Sequence, residues 1–499
     1  MSVLEKEKND ASVKNHPTVE IKDLPNNTEW TVYEKFAFRV AFIFYVQLCL
    51  PIENFVEWIT RISQIKIFEI NYRDLYDIAG YRPDYLKIAS DSGKWGVASY
   101  VTWAIALGIG LAGAAVWTFI VKLRKTERKE YKTLYYWLRV IVRYRIAVGI
   151  IAFGYVKLFP TQMPYPSQAV LNTLLGDMQE QKIYWYSVGV TIWYQVFLGL
   201  VEIVGGALLF FRRTTALGAA LIAVVLFNIA FANHSYDGGV HVYAAYFVLM
   251  SLFVLVYDFP KIWNLLVNEK DVTPVVYEPV YTKKWQRYLK YGAKYAIVFV
   301  YLPFFFYIRT ANYFFEKDPI KKEPTEPGLT DAKGLYNVTE FRVNNKTIPY
   351  SPLDSIRWQT ATFEKWSTLT FKVNRKVKID SGNGGPAKKD FDKNFELSGI
   401  AGGQRFFYYT ADTINHTLSL QDKNKPFGEG ANATKEQRAK AKELQKKGLK
   451  TYVWHYERPT TERIILSGLD DRKDSIYVVL DRVNKKYPLN EGRREAAIF

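Results

Sequence analysis

Seven apolar runs decide what this chain can fold into. They lie at about 35–53, 98–121, 134–158, 186–211, 214–232, 239–258 and 294–312. Each is close to the roughly 20 residues that cross bilayer hydrocarbon as a helix. Backbone N–H and C=O groups find no water at that depth, so each run must satisfy its own hydrogen bonds. The expectation is an α-helical membrane protein of about seven transmembrane helices. A mean hydropathy of −0.13 conceals this, because the chain beyond residue 312 is polar.

Lys122–Lys132, Arg212–Arg213 and Lys283–Lys294 abut the apolar runs, where cations set orientation and meet anionic headgroups. That placement accounts for the net charge of +18 and excludes nucleic acid as the partner; the bilayer is the expected one. The three clusters alternate with poorer loops. The N-terminus should therefore be cytoplasmic and the C-terminal domain periplasmic, in a bacterial inner (cytoplasmic) membrane. The loop 54–97 mixes its cations with Glu57, Glu69, Asp74, Asp77 and Asp84, and Glu53 lies just before it. Residues 1–30 are polar, a flexible cytoplasmic tail, and the first apolar run serves as a signal anchor. Tyr135, Tyr136 and Trp137, like Tyr184, Trp185 and Tyr186, suit membrane interfaces. Cys49 is the single cysteine, which excludes an intrachain disulfide, a CxxC pair and a cysteine metal cage.

The expected domains are two N-terminal transmembrane helices with a periplasmic loop (31–133), a four-helix bundle (134–260), a cytoplasmic segment with the last transmembrane helix (261–312), a linker (313–334) and a periplasmic β-domain (335–499). Short turns force the four bundle helices antiparallel, and Gly149, Gly154, Gly199, Gly205, Gly206 and Gly218 provide small faces for close approach. Period-two alternation marks the β-domain: Val338 and Glu340; Leu369, Phe371 and Val373; Val377 and Ile379; Tyr452, Trp454 and Tyr456; Ile464 and Leu466; Ile476, Val478 and Leu480. About eight strands suggest an up-and-down, lipocalin-like barrel or a sandwich. Residues 435–447 read as a short charged helix in an excursion between strands.

Charge inside the apolar runs is the functional signal. Arg139, Arg143, Arg145 and Lys157 lie within or beside 134–158, and Glu202 sits about eight residues before Arg212, on the order of 12 Å at helical rise. Charges at that depth need a partner or a task. Arg139 and Lys157 are near enough to the interfaces to snorkel. The expected intramembrane polar site is Arg143, Arg145, Lys157 and Glu202, with Arg143 and Glu202 paired around a small cavity. An outer polar cluster is expected from Asn228, Asn233, His234, Tyr236, Asp237, His241 and Tyr243. His234 and His241 should meet across the turn, and Asp237 should pair with Lys157. Two histidines without a third well-spaced ligand do not make a metal site. The proline-bearing loop 160–177 is expected to lie over the bundle like a lid.

Arg143-Tyr144-Arg145-Ile146-Ala147-Val148-Gly149, Phe153-Gly154-Tyr155-Val156-Lys157-Leu158-Phe159 and Leu200-Val201-Glu202-Ile203-Val204-Gly205-Gly206 resemble the first two bundle helices of the DoxX-like membrane family. The whole chain is similar to a larger bacterial variant with a C-terminal periplasmic β-domain. It departs from that variant's turn, where Gly238-Gly239 and His241 stand in place of a Pro and a Lys. The resemblance implies a four-helix fold and quinone-linked oxidation, with quinone as the cofactor or substrate class. It equally accommodates a non-catalytic accessory or assembly subunit of a cell-envelope complex, docking through the bundle or the β-domain. Asp354-Ser355-Ile356, Asp412-Thr413-Ile414 and Asp474-Ser475-Ile476 resemble a bacterial O-glycosylation sequon, with Ser355, Thr413 and Ser475 as acceptors.

Overall fold

The computed structural model describes residues 29–52, 55–64, 70–86 apart from 71 and 84, 100–272, 277–315 apart from 280 and 282, 321–424 apart from 378, 381, 383, 385, 386 and 388, and 451–491 apart from 471. The expected tail, the charged helix at 435–447, and Glu53, Glu69 and Asp84 lie outside the described residues.

Helices stand at each of the seven apolar positions. They are α1 (Val32–Cys49), α4 (Val101–Leu123), α5 (Lys132–Leu158), α8 (Ile192–Leu208), α9 (Thr215–Ser235), α10 (His241–Val256) and α13 (Leu302–Phe314). Shorter helices intervene: α2 (Phe55–Gln64), α3 (Tyr72–Ala79), α6 (Gln168–Leu171), α7 (Glu180–Gly189), α11 (Phe259–Leu266) and α12 (Lys284–Tyr295). Among the described residues three helical stretches, 101–123, 212–235 and 284–314, are long and apolar enough to cross a membrane. The number rises to five if the bent pairs α7–α8 and α10–α11 each cross. Charge keeps α1 and α5 out of that set: Glu34, Lys35 and Arg39 lie in one, and Arg139, Arg143, Arg145 and Lys157 in the other.

α5 packs on α8, α8 on α9, α9 on α10, and α10 returns to α5, closing a four-helix ring. Glycine sets the α5–α8 distance. A Cβ on Gly199 would lie 2.6 Å from the Leu158 nitrogen, and one on Gly206 would lie 2.7 Å from Ile151. The helices touch backbone to backbone there, which is the geometry small residues permit in lipid. The expected span 186–211 is broken instead of straight: α7 meets α8 at 89°. Gly189 packs against the Pro164 and Met163 carbonyls, where any Cβ would clash at 2.7 Å. The helix running from 284 to 314 widens into a π-turn at Ala296–Tyr301, just ahead of Pro303, whose ring crowds the preceding turn.

The C-terminal region is a closed antiparallel barrel. Its strands are β1 (Gly334–Val343), β2 (Lys346–Thr347), β3 (Trp358–Phe363), β4 (Thr368–Val373), β5 (Gln404–Asp412), β6 (Thr417–Asp422), β7 (Thr451–Thr460), β8 (Arg463–Leu469) and β9 (Ser475–Arg482). They pair in the order β2-β1-β3-β4-β5-β6-β7-β8-β9, and β9 closes onto β1. Eight strands form the wall, and β2 is a short hairpin arm. Asn344 and Asn345 turn it with φ of 50° and 62°, as a two-residue hairpin requires. Closure removes the sheet edges that a sandwich would leave open. Val377 and Ile379, expected in a strand, lie in the loop after β4.

Candidate binding site

Inward-facing side chains fill one end of the barrel. Tyr336, Phe363 and Tyr409 pack there with Leu329 and Ala332. The Leu329 N–H donates to the Tyr409 hydroxyl (2.7 Å), and the Tyr336 hydroxyl donates to the Ala332 carbonyl (2.8 Å). Residues expected as a free linker thus plug this end.

The other end is hollow. A cavity of about 300 Å³ opens between the β2–β3, β4–β5 and β8–β9 loops. An eight-stranded barrel is just wide enough for side chains to fill or for one small ligand to occupy. Four near-parallel rings from four strands line it: Phe407 on Phe371 (5.2 Å, 14°), Phe371 on Trp358 (3.6 Å, 9°) and Trp358 on Trp454 (5.4 Å, 11°). Trp454 lies flat because its neighbour across the strands is Gly468, where a Cβ would come within 2.3 Å of the indole. Its Nε1 donates to the Leu469 carbonyl (2.9 Å), so the indole face is left for the cavity. The rim carries Arg375, Arg405 and Arg472 against Asp470 and Asp474. Arg405 lies over Phe371 and Phe407 at 5.7 and 5.1 Å and pairs with Asp422 at 2.5 Å. The site combines flat apolar walls with a polar, mainly cationic mouth.

The loop expected as a lid is a brace between bundle and barrel. Its residues Ala169 and Val170, with Met178 and Tyr186 just beyond it, pack on Phe395, Leu397, Ile400 and Phe406, making an apolar cluster on the outer wall. Met178 bridges Ile400, with Gln179 N donating to the Gly399 carbonyl (2.9 Å) and Ala401 N to the Asp177 carbonyl (2.7 Å). The Glu364 carboxylate accepts the N–H groups of Gln168 and Ala169, both at 2.9 Å. Burial, with Glu396 nearby, nevertheless pushes its carboxyl up to about 7. Lys182, fully buried, donates to the Phe395 carbonyl and lies over that ring. The burial of one ammonium among rings holds its pKa well below the usual lysine range. Lys423 and Glu396 pair at 2.5 Å, and Glu396 also accepts from Trp366 Nε1 and the Thr368 hydroxyl.

Within the helices the expected Arg143–Glu202 pair does not form. Glu202 holds the Lys157 ammonium with both oxygens, at 2.7 and 2.8 Å. Arg143 donates from Nε and one terminal nitrogen to the Leu209 carbonyl, at 3.0 and 2.8 Å. The reason is register. The antiparallel contact that sets Gly154 against Gly199 and Ala147 against Gly206 places Arg143 level with Leu209, about two turns from Glu202. Lys157 therefore turns to Glu202 and not to Asp237. Arg145 donates to the carbonyls of Ala79 and Tyr81 and lies over the Tyr246 and Phe247 rings.

The outer cluster is largely brought together. His234 and His241 rings stand 4.2 Å apart, and the Tyr100 hydroxyl meets His234 Nε2 at 2.6 Å. Among the described residues, both ring nitrogens of buried His241 lack a hydrogen-bond partner, as does Asn233 Oδ1. Tyr236 stacks on Tyr184 (5.0 Å), Asp237 takes a left-handed φ of 53° in the turn, and Tyr243 donates to the Gly80 carbonyl. Asn228 stands apart on the exposed face of α9. Among the described residues no three metal-ligating side chains converge. Ser355 and Thr413 are exposed in turns where the preceding aspartate accepts two backbone N–H groups, whereas Ser475 opens β9.

Two deep cations escaped the sequence reading. Arg39 donates to the Tyr131 and Thr118 hydroxyls, and Arg309, fully buried, donates to the Phe159 carbonyl and Thr161. The rule applied to 134–158 would have found both, since each lies inside an apolar run.

No family model matches the chain, and no solved structure matches it. Residues of the chain are 32% identical over 87 positions to the uncharacterized protein YwoB of Bacillus subtilis (strain 168). That alignment covers 17% of this chain, which spans only 56% of the length of that relative.

Proposed function

We propose that this protein is a membrane-anchored receptor that holds a small, flat, apolar molecule in the barrel cup. The helices anchor it in the bacterial inner membrane, and the barrel stands on the periplasmic side. The open end of the barrel, walled by stacked rings, carries this reading. A filled barrel needs no such hollow, and about 300 Å³ falls at the lower bound of small-molecule sites. A two-ring ligand burying roughly 250 Å² of apolar surface gains about 6 kcal/mol there. Ring-bearing, membrane-soluble molecules such as quinones belong to this class, in keeping with the DoxX-like segments of α5 and α8. The arginines of the mouth would meet a carbonyl or acidic substituent.

The test is titration of the full-length protein in mild detergent with a water-soluble naphthoquinone, read by quenching of tryptophan fluorescence. Saturable quenching should weaken at least tenfold in Trp358→Ala and Trp454→Ala, while Glu202→Gln binds as the parent does. Binding lost in Glu202→Gln but kept in both tryptophan variants would move the site into the helices and sink the proposal.

A further inference from the structure

At the end of the bundle away from the barrel, four cations share two carboxylates, and a fifth cation, Arg143, stands beside them. Arg139 and Lys261 both reach Asp258, each at 3.3 Å. Arg212 and Lys290 both reach Glu278, at 2.6 and 2.5 Å. Arg143 reaches neither and donates instead to the Leu209 carbonyl. Among the described residues no carboxylate lies within 4.0 Å of it. A guanidinium between apolar helices without a counter-charge is costly.

A cleft of about 40 Å³ lies between Arg139, Arg143 and Arg212, with Thr215, Tyr136, Tyr277 and the Asp258 carboxylate, already held by Arg139 and Lys261, also on its wall. A water's share of liquid volume is about 30 Å³, so the cleft takes the oxygens of one headgroup and no acyl chain. Arg139 Nε is buried without a hydrogen-bond partner among the described residues. Arginine forks match phosphate oxygens two at a time. Exposed apolar side chains are close in the chain to the lining residues: Phe211, under the Lys294 ammonium (4.7 Å), precedes Arg212, and Leu217 lies two residues after Thr215. Soluble phosphate would have no use for that surface.

We propose that this cleft binds the phosphate of an anionic phospholipid, whose acyl chains run along the apolar face of α8 and α9. The site is independent of the barrel cup. It turns the surplus cations at this end into one defined lipid position.

Native mass spectrometry of the full-length protein, stripped of lipid and offered phosphatidylglycerol or phosphatidylcholine, tests it. One phosphatidylglycerol should be retained, and phosphatidylcholine should not. Arg143→Gln and Arg212→Gln should each weaken retention about fivefold, the loss expected for one cation at a membrane surface. The double variant Lys284→Gln/Arg287→Gln, outside the cleft, should lose less. If Arg143→Gln does not fold, the exposed-edge variant Arg212→Gln decides alone. Retention unchanged in Arg212→Gln, or equal loss in the Lys284/Arg287 variant, overturns the proposal. Displacement of the lipid by millimolar inorganic phosphate also overturns it, in favour of a soluble-anion site.

Discussion

Lys157 and Glu202 are both nearly inaccessible and joined through two contacts at the α5–α8 seam. Taking away one partner leaves the other's charge stranded in a low-dielectric interior, a loss of about 3–5 kcal/mol. Glu202→Gln is therefore expected to unfold at lower denaturant than the parent protein. Lys157→Met combined with Glu202→Leu should recover most of the difference, because two apolar groups need no counter-charge. A double variant as weak as Glu202→Gln would mean that the pair does more than balance charge. Both residues were legible as a site from charge within apolar runs. Their pairing was not, since depth along straight spans favours Arg143 as the partner of Glu202 and places Lys157 near the interface. The register that decides between them comes from Gly154, Gly199 and Gly206, and a small residue announces close approach without saying to which turn.

At the scale of elements, the brace between α5 and α8 joins two parts that the sequence presents separately. Its proline spacing reads as a loop, and its apolar residues Ala169, Val170 and Tyr186 follow no clear period, so their partner on β5 was illegible. β3, β5 and β6 were missed for a related reason. In β3 the consecutive residues Ala361, Thr362 and Phe363 are all buried, and in β5 Phe406 and Phe407 both are, which blurs alternation in this part of the wall. Glu364 gives this contact a pH dependence. Its carboxyl moves from the usual 4.5 up to about 7 on folding, so the folded state binds the proton more tightly. Stability from this group is complete below pH 4.5 and is lost as pH rises through about 7, by up to about 3 kcal/mol. Chemical denaturation between pH 5 and 8 should show that decline, and Glu364→Gln should flatten it. A decline of the same size in Glu364→Gln would assign it to other groups.

For the molecule as a whole, the division into an apolar helical part and a period-two part was plain in the sequence, and the closed barrel follows from the strands β1 and β9 meeting. Which end is plugged and which hollow could not be read, because Leu329 and Ala332 look like linker until they are seen inside the barrel. The two parts share the apolar cluster of the brace and the buried Lys182, so they should unfold together. Cys49 provides a clean reporter on one side: it is the single cysteine, buried in the helical core against Met250. Thiol labelling during a thermal ramp reads the helical part, while Trp358 and Trp454 lie in the barrel. In the parent protein, Cys49 labelling and the circular-dichroism signal of strand loss should share one midpoint. Lys182→Ala combined with Glu364→Ala removes two polar ties of the brace. The barrel midpoint should then fall by roughly 2–4 °C for each kcal/mol lost, ahead of Cys49 labelling. Two midpoints in the parent protein, unmoved by the double variant, would mean that the brace touches the barrel without coupling it. A ligand held in the cup would in that case stabilise the barrel alone, whereas a coupling brace carries that stabilisation into the helical part and raises the temperature of Cys49 labelling as well.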